Sequence, residues 1–297
     1  MVEITVVVVT CNREKEFKRA VLSIVEQKDI SLELINIDNN SSDGTKDLME
    51  ELKNDSQVPI KNIFLSENVG PTRARSLGFG ESRGEIVYFL DDDAYLKDQF
   101  FLAKLKTFMK ENPEVGCVQT GIFDTQLEGY MKPRHQRFLT KNYFLAMSFI
   151  GASYAFRRNV TKGFEEKILF PDWIFSRSEE FYSAVRLYDF GYLVAYFPDI
   201  EVVHQPSPSM RPSQEDMQLT TIINKHSIRK SLYPRLILPL SFFALLLRLG
   251  KHYGWNPGSI FSLWKKSLKV KPSEKVPRIS LKTFLFLTKK FSWKSVT

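Results

Sequence analysis

Four apolar runs, at residues 4–9, 32–37, 60–65 and 85–90, each end in a polar loop, and this repetition leaves the chain few ways to fold. The first run, Ile4-Thr5-Val6-Val7-Val8-Val9, lacks the polar alternation of a half-exposed strand and reads as a strand buried on both faces. Phe17, Val21 and Ile24 follow at helical spacing, and further helices are expected at 71–81, 100–110 and 179–190. Extended segments are expected at 115–122, 153–157, 192–197 and 201–204. Strands alternating with amphipathic helices make βα units around a mostly parallel sheet, an α/β class. Open sheets of this kind bind ligands beyond the carboxyl ends of their strands. With 297 residues, 43% of them hydrophobic, the chain can bury a sizeable core.

Charge divides the chain in two. Residues 225–297 carry 16 Lys and Arg against one acid, Glu274, a balance of +15; residues 1–224 carry 26 bases against 33 acids, a balance of −7. An acidic body with a basic tail argues against a nucleic-acid partner. The uncharged stretch 236–247 is shorter than the roughly 20 apolar residues that cross a bilayer. Together with Trp255, Trp264, Trp293 and Phe284-Leu285-Phe286-Leu287, it suits a segment lying on an anionic membrane surface. The alternative is a helix packed on the catalytic domain or in a homo-oligomer. Glu3 precedes the first apolar run without a basic region, unlike a signal peptide, and the two cysteines, Cys11 and Cys117, form no metal or disulfide pattern. A cytoplasmic protein, peripheral on the inner face of the membrane, is expected.

The strongest chemical signal is Asp91-Asp92-Asp93, directly after an apolar strand. Adjacent carboxylates repel one another, so such a triplet is best tolerated where a cation sits. In an extended chain Asp91 and Asp93 point the same way and can share a hard divalent ion such as Mg2+ or Mn2+. Asp38 ends the second strand and starts the turn Asp38-Asn39-Asn40-Ser41-Ser42-Asp43-Gly44, where a carboxylate can accept from a nucleotide base or ribose. Ser42 or Asp43 would cap the next helix. No GxGxxG follows the first strand, which argues against a dinucleotide-dependent oxidoreductase.

Four segments occur together in order: Val6-Val7-Val8-Val9-Thr10-Cys11-Asn12-Arg13, the Asp38 turn through Thr45, Asn68-Val69-Gly70-Pro71-Thr72-Arg73-Ala74-Arg75, and the aspartate triplet. In this the chain resembles the inverting family 2 glycosyltransferases, which have the GT-A fold, from the N-terminus to about His204. Gly151-Ala152-Ser153 resembles the family's acceptor loop, Gly163-Phe164-Glu165-Glu166 its Gly-Phe-Asp-Glu segment, and Glu179-Glu180 its Glu-Asp motif. The resemblance implies a catalytic domain at 1–210, with a nucleotide-sugar half at 1–93 and an acceptor half at 94–210, followed by a basic amphipathic segment at 211–297.

It also implies roles. Thr10, Asn12, Asp38, Asn40 and Asp92 would hold the donor nucleoside, and one of Arg73 and Arg75 would approach its ribose or phosphates. Asp91, Asp93 and His204 would bind Mn2+ or Mg2+, and Glu180 or Glu179 would deprotonate the acceptor hydroxyl. Gly151, Ala152 and Trp173 would face the acceptor, with Trp173 equally able to belong to the core. The implied reaction moves a sugar from a UDP- or dTDP-linked donor, in a rhamnosyltransferase-like manner, to a glycan or lipid-linked saccharide of a cell-surface polysaccharide. A nucleotidyltransferase would need a Gly-rich phosphate loop after the first strand, which residues 10–16 do not supply. A non-catalytic scaffold would have no need of the triplet or the acid pair.

Overall fold

The structure, a computed structural model, describes residues 2–133, 136–138, 142–161, 169–207, 213–272, 276–291 and 296. The segment Gly163-Phe164-Glu165-Glu166 and the boundary expected at residue 210 lie outside them. Three βα units and a fourth strand come first: β1 (Ile4–Thr10), α1 (Glu14–Val25), β2 (Leu32–Asp38), α2 (Thr45–Asp55), β3 (Ile60–Phe64), α3 (Gly70–Glu81), β4 (Ile86–Asp91). After β5 (Ala94–Leu96) and α4 (Phe101–Glu111) come β6 (Val115–Asp124), the short β7 (Gly129–Tyr130), β8 (Gln136–Phe138) and β9 (Phe144–Ala146), then β10 (Ser153–Arg157), α5 (Glu179–Asp189) and β11 (Leu193–His204). The C-terminal segment is helical: α6 (Gln214–Leu232), α7 (Leu238–Tyr253), α8 (Pro257–Lys269) and α9 (Leu281–Phe291).

The sheet runs β3-β2-β1-β4-β10-β6-β11-β9-β8, parallel over its first four strands, with β10 antiparallel to both β4 and β6. Its core is built by alternation. Val6 and Val8 face α1, α2 and α4, whereas Val7, with Phe89, faces α3, α5 and the C-terminal helices. Both faces of β1 are thereby covered, as its unbroken apolar sequence requires. Residues 192–197 and 201–204, expected as two extended segments, form one strand interrupted by an irregularity between Phe197 and Glu201. Helix α2 starts at Thr45, whose backbone N–H donates to Asp43 Oδ1 at 3.1 Å.

The C-terminal helices divide by what they bury. Ile228, Leu232 and Tyr233 of the α6 end, and Phe284, Leu287 and Phe291 of α9, belong to the same core as Phe89 and Phe156 of the sheet. Leu245 and Leu249 of α7 bury only against Leu219, Ile222 and Trp264. Another face of α7 is open: Leu240, Phe243 and Leu247, with Leu236 just before the helix at the same spacing, are 46%, 60%, 45% and 79% exposed. A residue run that sequence reads as one amphipathic segment is thus two layers, one locked into the core and one outside it.

Candidate active site

Strand register assembles the first half of the site. Thr10 pairs with Asp38 and Val9 with Asp91, so the ends of β1, β2 and β4 lie side by side at the sheet edge where ligands bind. Asp38 is fully buried, and its two oxygens accept the Ser41 N–H at 3.0 and 3.1 Å. Asn12 ties the loops after β1 and β2 together: its N–H donates to Ser41 Oγ at 2.9 Å, and its Oδ1 accepts from the Ser42 N–H at 2.7 Å. Asn12 and Asn40 both hold positive φ, 53° and 67°, which asparagine tolerates better than most residues. Asn39, not singled out from sequence, joins the third loop, donating to Asn68 Oδ1 at 3.0 Å and accepting from the Val69 N–H at 3.0 Å. The Thr10 hydroxyl is buried with no partner among the described residues, while Asn40 is exposed at the rim.

The aspartate triplet is divided between two jobs. Asp91, Asp93 and His204 bring ligand atoms within 4.8 Å of one another, the one such cluster among the described residues. Arg13 holds the triplet from the β1 side, donating to Asp92 Oδ1 at 2.8 Å and Asp93 Oδ2 at 3.3 Å. His204 arrives on β11, which pairs it with Asp124; its Nδ1 lies 2.8 Å from Asp124 Oδ2 and its Nε2 3.1 Å from Asp93 Oδ1. Burial disfavours its cation, but the hydrogen bond and charge of Asp93, the hydrogen bond of Asp124 and the charge of Asp91 prevail and hold its pKa up at about 9. Asp93 answers in kind. Burial opposes its ionisation, and the hydrogen bond and charge of His204 with the charge of Arg13 outweigh this, holding it down at about 2. Asp92, buried beside two other carboxylates, is pushed up to about 7 despite Arg13.

These residues fit a divalent ion. Two carboxylates and an imidazole are hard and borderline donors suited to Mg2+ or Mn2+. The histidinium between Asp93 and Asp124 occupies the place of a cation, which a metal would replace with release of that proton. Asp124 then remains the outer carboxylate that orients the imidazole.

The second half of the site comes from α3 and α5. Arg75, 8% exposed, reaches three groups at once: NH2 to Asp91 Oδ1 at 2.5 Å and to the Gly151 carbonyl at 3.4 Å, and NH1 to Glu179 Oε1 at 3.1 Å. Arg73 is exposed, so of the two arginines only Arg75 joins the cluster. Glu179 is 2% exposed, and its Oε2 is buried without a partner among the described residues. Glu180, half-buried, places its Oε1 3.0 Å from where a Cβ on Gly151 would stand, so only glycine leaves that carboxylate its present position. Ala152 is buried beside it, and its carbonyl accepts from the Asp91 N–H at 3.1 Å. Trp173 is tied to the C-terminal segment, its indole N–H donating to Ser227 Oγ on α6 at 3.1 Å with its ring packed edge-on to Tyr182.

Burial, then repulsion by Glu180, pushes the Glu179 carboxyl up to about 8 against the pull of Arg75, and burial likewise raises Glu180. A carboxyl whose pKa is higher folded than unfolded binds its proton more tightly in the native state. Its ionisation therefore opposes folding, not at all below the ordinary value of 4.5 and increasingly as pH rises to about 8. Glu179→Gln is accordingly expected to gain stability relative to the wild type between about pH 5 and 8, with little difference at pH 4. Urea midpoints across that range check it, and a constant gap would contradict the assignment.

A Rossmann-like sheet with carboxylates and an imidazole at its C-terminal edge and a buried acid pair facing them is the arrangement of GT-A glycosyltransferases. Residues 5–174 match the family described as Glycosyl transferase family 2, and the chain belongs to that family. A Campylobacter jejuni protein, GalNAc(5)-diNAcBac-PP-undecaprenol beta-1,3-glucosyltransferase, is 37% identical over 116 residues, which cover 38% of this chain and 36% of that protein. The match thus spans about a third of that relative's length. The mannosyltransferase PcManGT from Pyrobaculum calidifontis, solved with GDP-Man and Mn2+, superposes with a TM-score of 0.62 at 18% identity over 99% of this chain and 83% of its own. S. aureus TarS 1–349, solved with UDP-GlcNAc, gives 0.62 at 14% identity over 99% and 90%. These two likenesses establish the fold.

Proposed function

We propose that the protein transfers a sugar, with inversion, from a nucleotide-diphosphate sugar to a hydroxyl of a glycan or lipid-linked saccharide in the assembly of a cell-surface polysaccharide. The observation that carries this reading is Arg75, which links the Asp91 end of the metal-type cluster to the Glu179-Glu180 acid pair through a single buried guanidinium. Donor-side and acceptor-side groups are thereby fixed relative to each other, as a one-step displacement requires.

Thr10 and Asp38, with Asn12 and Asn40 at the rim, bind the nucleoside, the unpartnered Thr10 hydroxyl being available to it. Asp91, Asp93 and His204 would hold a Mn2+ or Mg2+ ion, which would supply the positive charge that a departing diphosphate needs. Glu180 is the general base: Glu179 is tied to Arg75, whereas Glu180 stands at Gly151 on the half-buried side. A carboxylate raised by burial is a stronger base than an exposed one, and such assistance contributes roughly 10²–10⁴-fold. Gly151 and Ala152 border the acceptor. UDP- and dTDP-linked donors are the first to test, with a rhamnosyl or glucosyl group; the likeness to a chain solved with GDP-Man adds GDP-linked sugars.

A thermal-shift series with UDP-, dTDP- and GDP-linked sugars, each with Mn2+, Mg2+ or EDTA, tests the reading, since a ligand of the native state raises its melting temperature. A metal-dependent rise with one nucleotide supports it. No rise with any donor, for a folded protein, would leave the scaffold reading in its place.

The acceptor side points to a membrane. No helix among the described residues is long and apolar enough to cross one. The exposed Leu240, Phe243 and Leu247 of α7, with Leu236 just before it, belong to a segment that also exposes Trp255 and Phe261, 58% and 60%, and the bases Arg235, Lys251, Lys265 and Lys269. A segment exposing both apolar side chains and bases suits the boundary of an anionic bilayer, each base near the surface contributing about 1 kcal/mol. Phe243→Glu with Leu247→Glu is therefore expected to abolish co-sedimentation with phosphatidylglycerol-containing vesicles while leaving the melting temperature unchanged. Retained sedimentation would remove this face from the membrane reading.

A further inference from the structure

The acid pair is preceded by two non-glycine residues in the left-handed region, Arg177 at φ 69° and Ser178 at φ 75°. Two such residues in succession do not hold that conformation unaided, because each sets its Cβ against the backbone. The next two residues are Glu179 and Glu180, so whatever fixes Arg177 and Ser178 fixes where α5 begins and where its acids stand.

The loop is held at two points. On one side the Phe175 carbonyl sits over Gly70, 2.5 Å from where a Cβ would be, and takes the Thr72 N–H at 3.5 Å. On the other side stands Asn224, in the middle of α6 and 6% exposed. Its Nδ2 donates to the Ser176 and Arg177 carbonyls, both at 2.9 Å. An amide nitrogen carries two hydrogens, and here both are spent on consecutive carbonyls of the strained turn. A serine would serve one of them, and an aspartate would set oxygen against oxygen. One helical turn on, Ser227 accepts the Trp173 indole N–H and donates to the Val270 carbonyl at 2.6 Å, and the Arg229 guanidinium lies 5.3 Å from the Phe181 ring. Helix α6 thus supports the chain on both sides of the acid pair.

We infer that Asn224 is a positioning residue for the acid pair, so that the C-terminal segment completes the acceptor side of the site. The inference rests on the role given above to Glu180 or Glu179. Asn224 touches no reacting group; it acts through the carbonyls of residues 176 and 177.

The test uses the full chain with Asn224→Ala, and the same change combined with Ser178→Gly. Asn224→Ala is expected to lower kcat by about 10- to 100-fold, the scale of an ångström-sized misplacement, with the donor KM unchanged. Amide exchange at Phe181 and Tyr182, whose N–H groups bond the Ser178 carbonyl at 3.1 and 3.2 Å, is expected to quicken. Ser178→Gly, which takes positive φ without a Cβ penalty, should restore part of the lost kcat. Unchanged exchange overturns the clamp whatever the activity does. Faster exchange with wild-type kcat, a loss confined to the donor KM, or no recovery with Ser178→Gly overturns the positioning role. Full activity in both Glu179→Gln and Glu180→Gln would instead overturn the assignment of the base, leaving the exchange measurement to decide the clamp.

Discussion

Asp93→Ala is expected to lower kcat by about 10²–10³-fold, the range for deleting one group that stabilises developing charge, and to erase any metal-dependent rise in melting temperature with donor. Asp93 is 1% exposed and meets His204 Nε2 at 3.1 Å, Arg13 at 3.3 Å and the Ser207 N–H at 3.3 Å. Its removal leaves neither cation stranded, because Arg13 keeps Asp92 at 2.8 Å and His204 keeps Asp124 at 2.8 Å. The loss should therefore be functional rather than a loss of fold. Circular dichroism with a donor-and-Mn2+ thermal shift separates the two, and a variant that still responds to metal with wild-type kcat would remove Asp93 from the ligand set.

Arg75→Met is the change expected to damage stability most. It strips Asp91 and the 2% exposed Glu179 of the guanidinium they share, and breaking a buried pair by deleting one partner typically costs about 3–5 kcal/mol. Arg75 is also the partner that restrains the Glu179 pKa, so in its absence that carboxyl rises further and folds as the neutral acid. Two consequences can be measured by urea unfolding. The Glu179 share of the deficit is flat between about pH 5 and 8, where that carboxyl folds protonated in both proteins, and grows above about pH 8, where only Arg75 lets it fold as a carboxylate. Above about pH 8, adding Glu179→Gln recovers part of it, giving a positive coupling in the double-mutant cycle; strict additivity there would mean the pair is not energetically linked. Activity should fall in Arg75→Met as well, since both halves of the site lose their common anchor.

Much of the nucleotide half is legible in sequence because it is built from strand ends. Strand periodicity fixes which residues terminate β1, β2 and β4, and parallel register then forces Thr10, Asp38 and Asp91 onto one edge. The aspartate triplet announces itself by repulsion alone. Arg13 was in view, within the first motif, but nothing local says that its guanidinium turns to Asp92 and Asp93 across the sheet. Asp124 carries no signal of its own: it is one acid at the end of β6, and it acquires meaning only because β11 pairs it with His204. Trp173, open to either a sugar or the core, is claimed by Ser227 of a helix 54 residues away.

The C-terminal segment divides along the same line. Its charge, apolar runs and helical character follow from composition and spacing, which are local. Which helices enter the core does not, since α6, α7 and α9 all present apolar residues and only packing decides that Leu232 and Phe284 are inside while Phe243 is outside. The amino-acid sequence by itself determined the α/β class, the family and the chemistry available at the strand ends, because these depend on periodicity and on residues close in the chain. The tertiary structure alone decided that Arg75 rather than Arg73 turns inward, that Asp124 backs His204, and that Asn224 grips the turn before Glu179. Each is a contact between distant segments, whose side-chain directions are set by strand register and helix packing rather than by their neighbours in sequence.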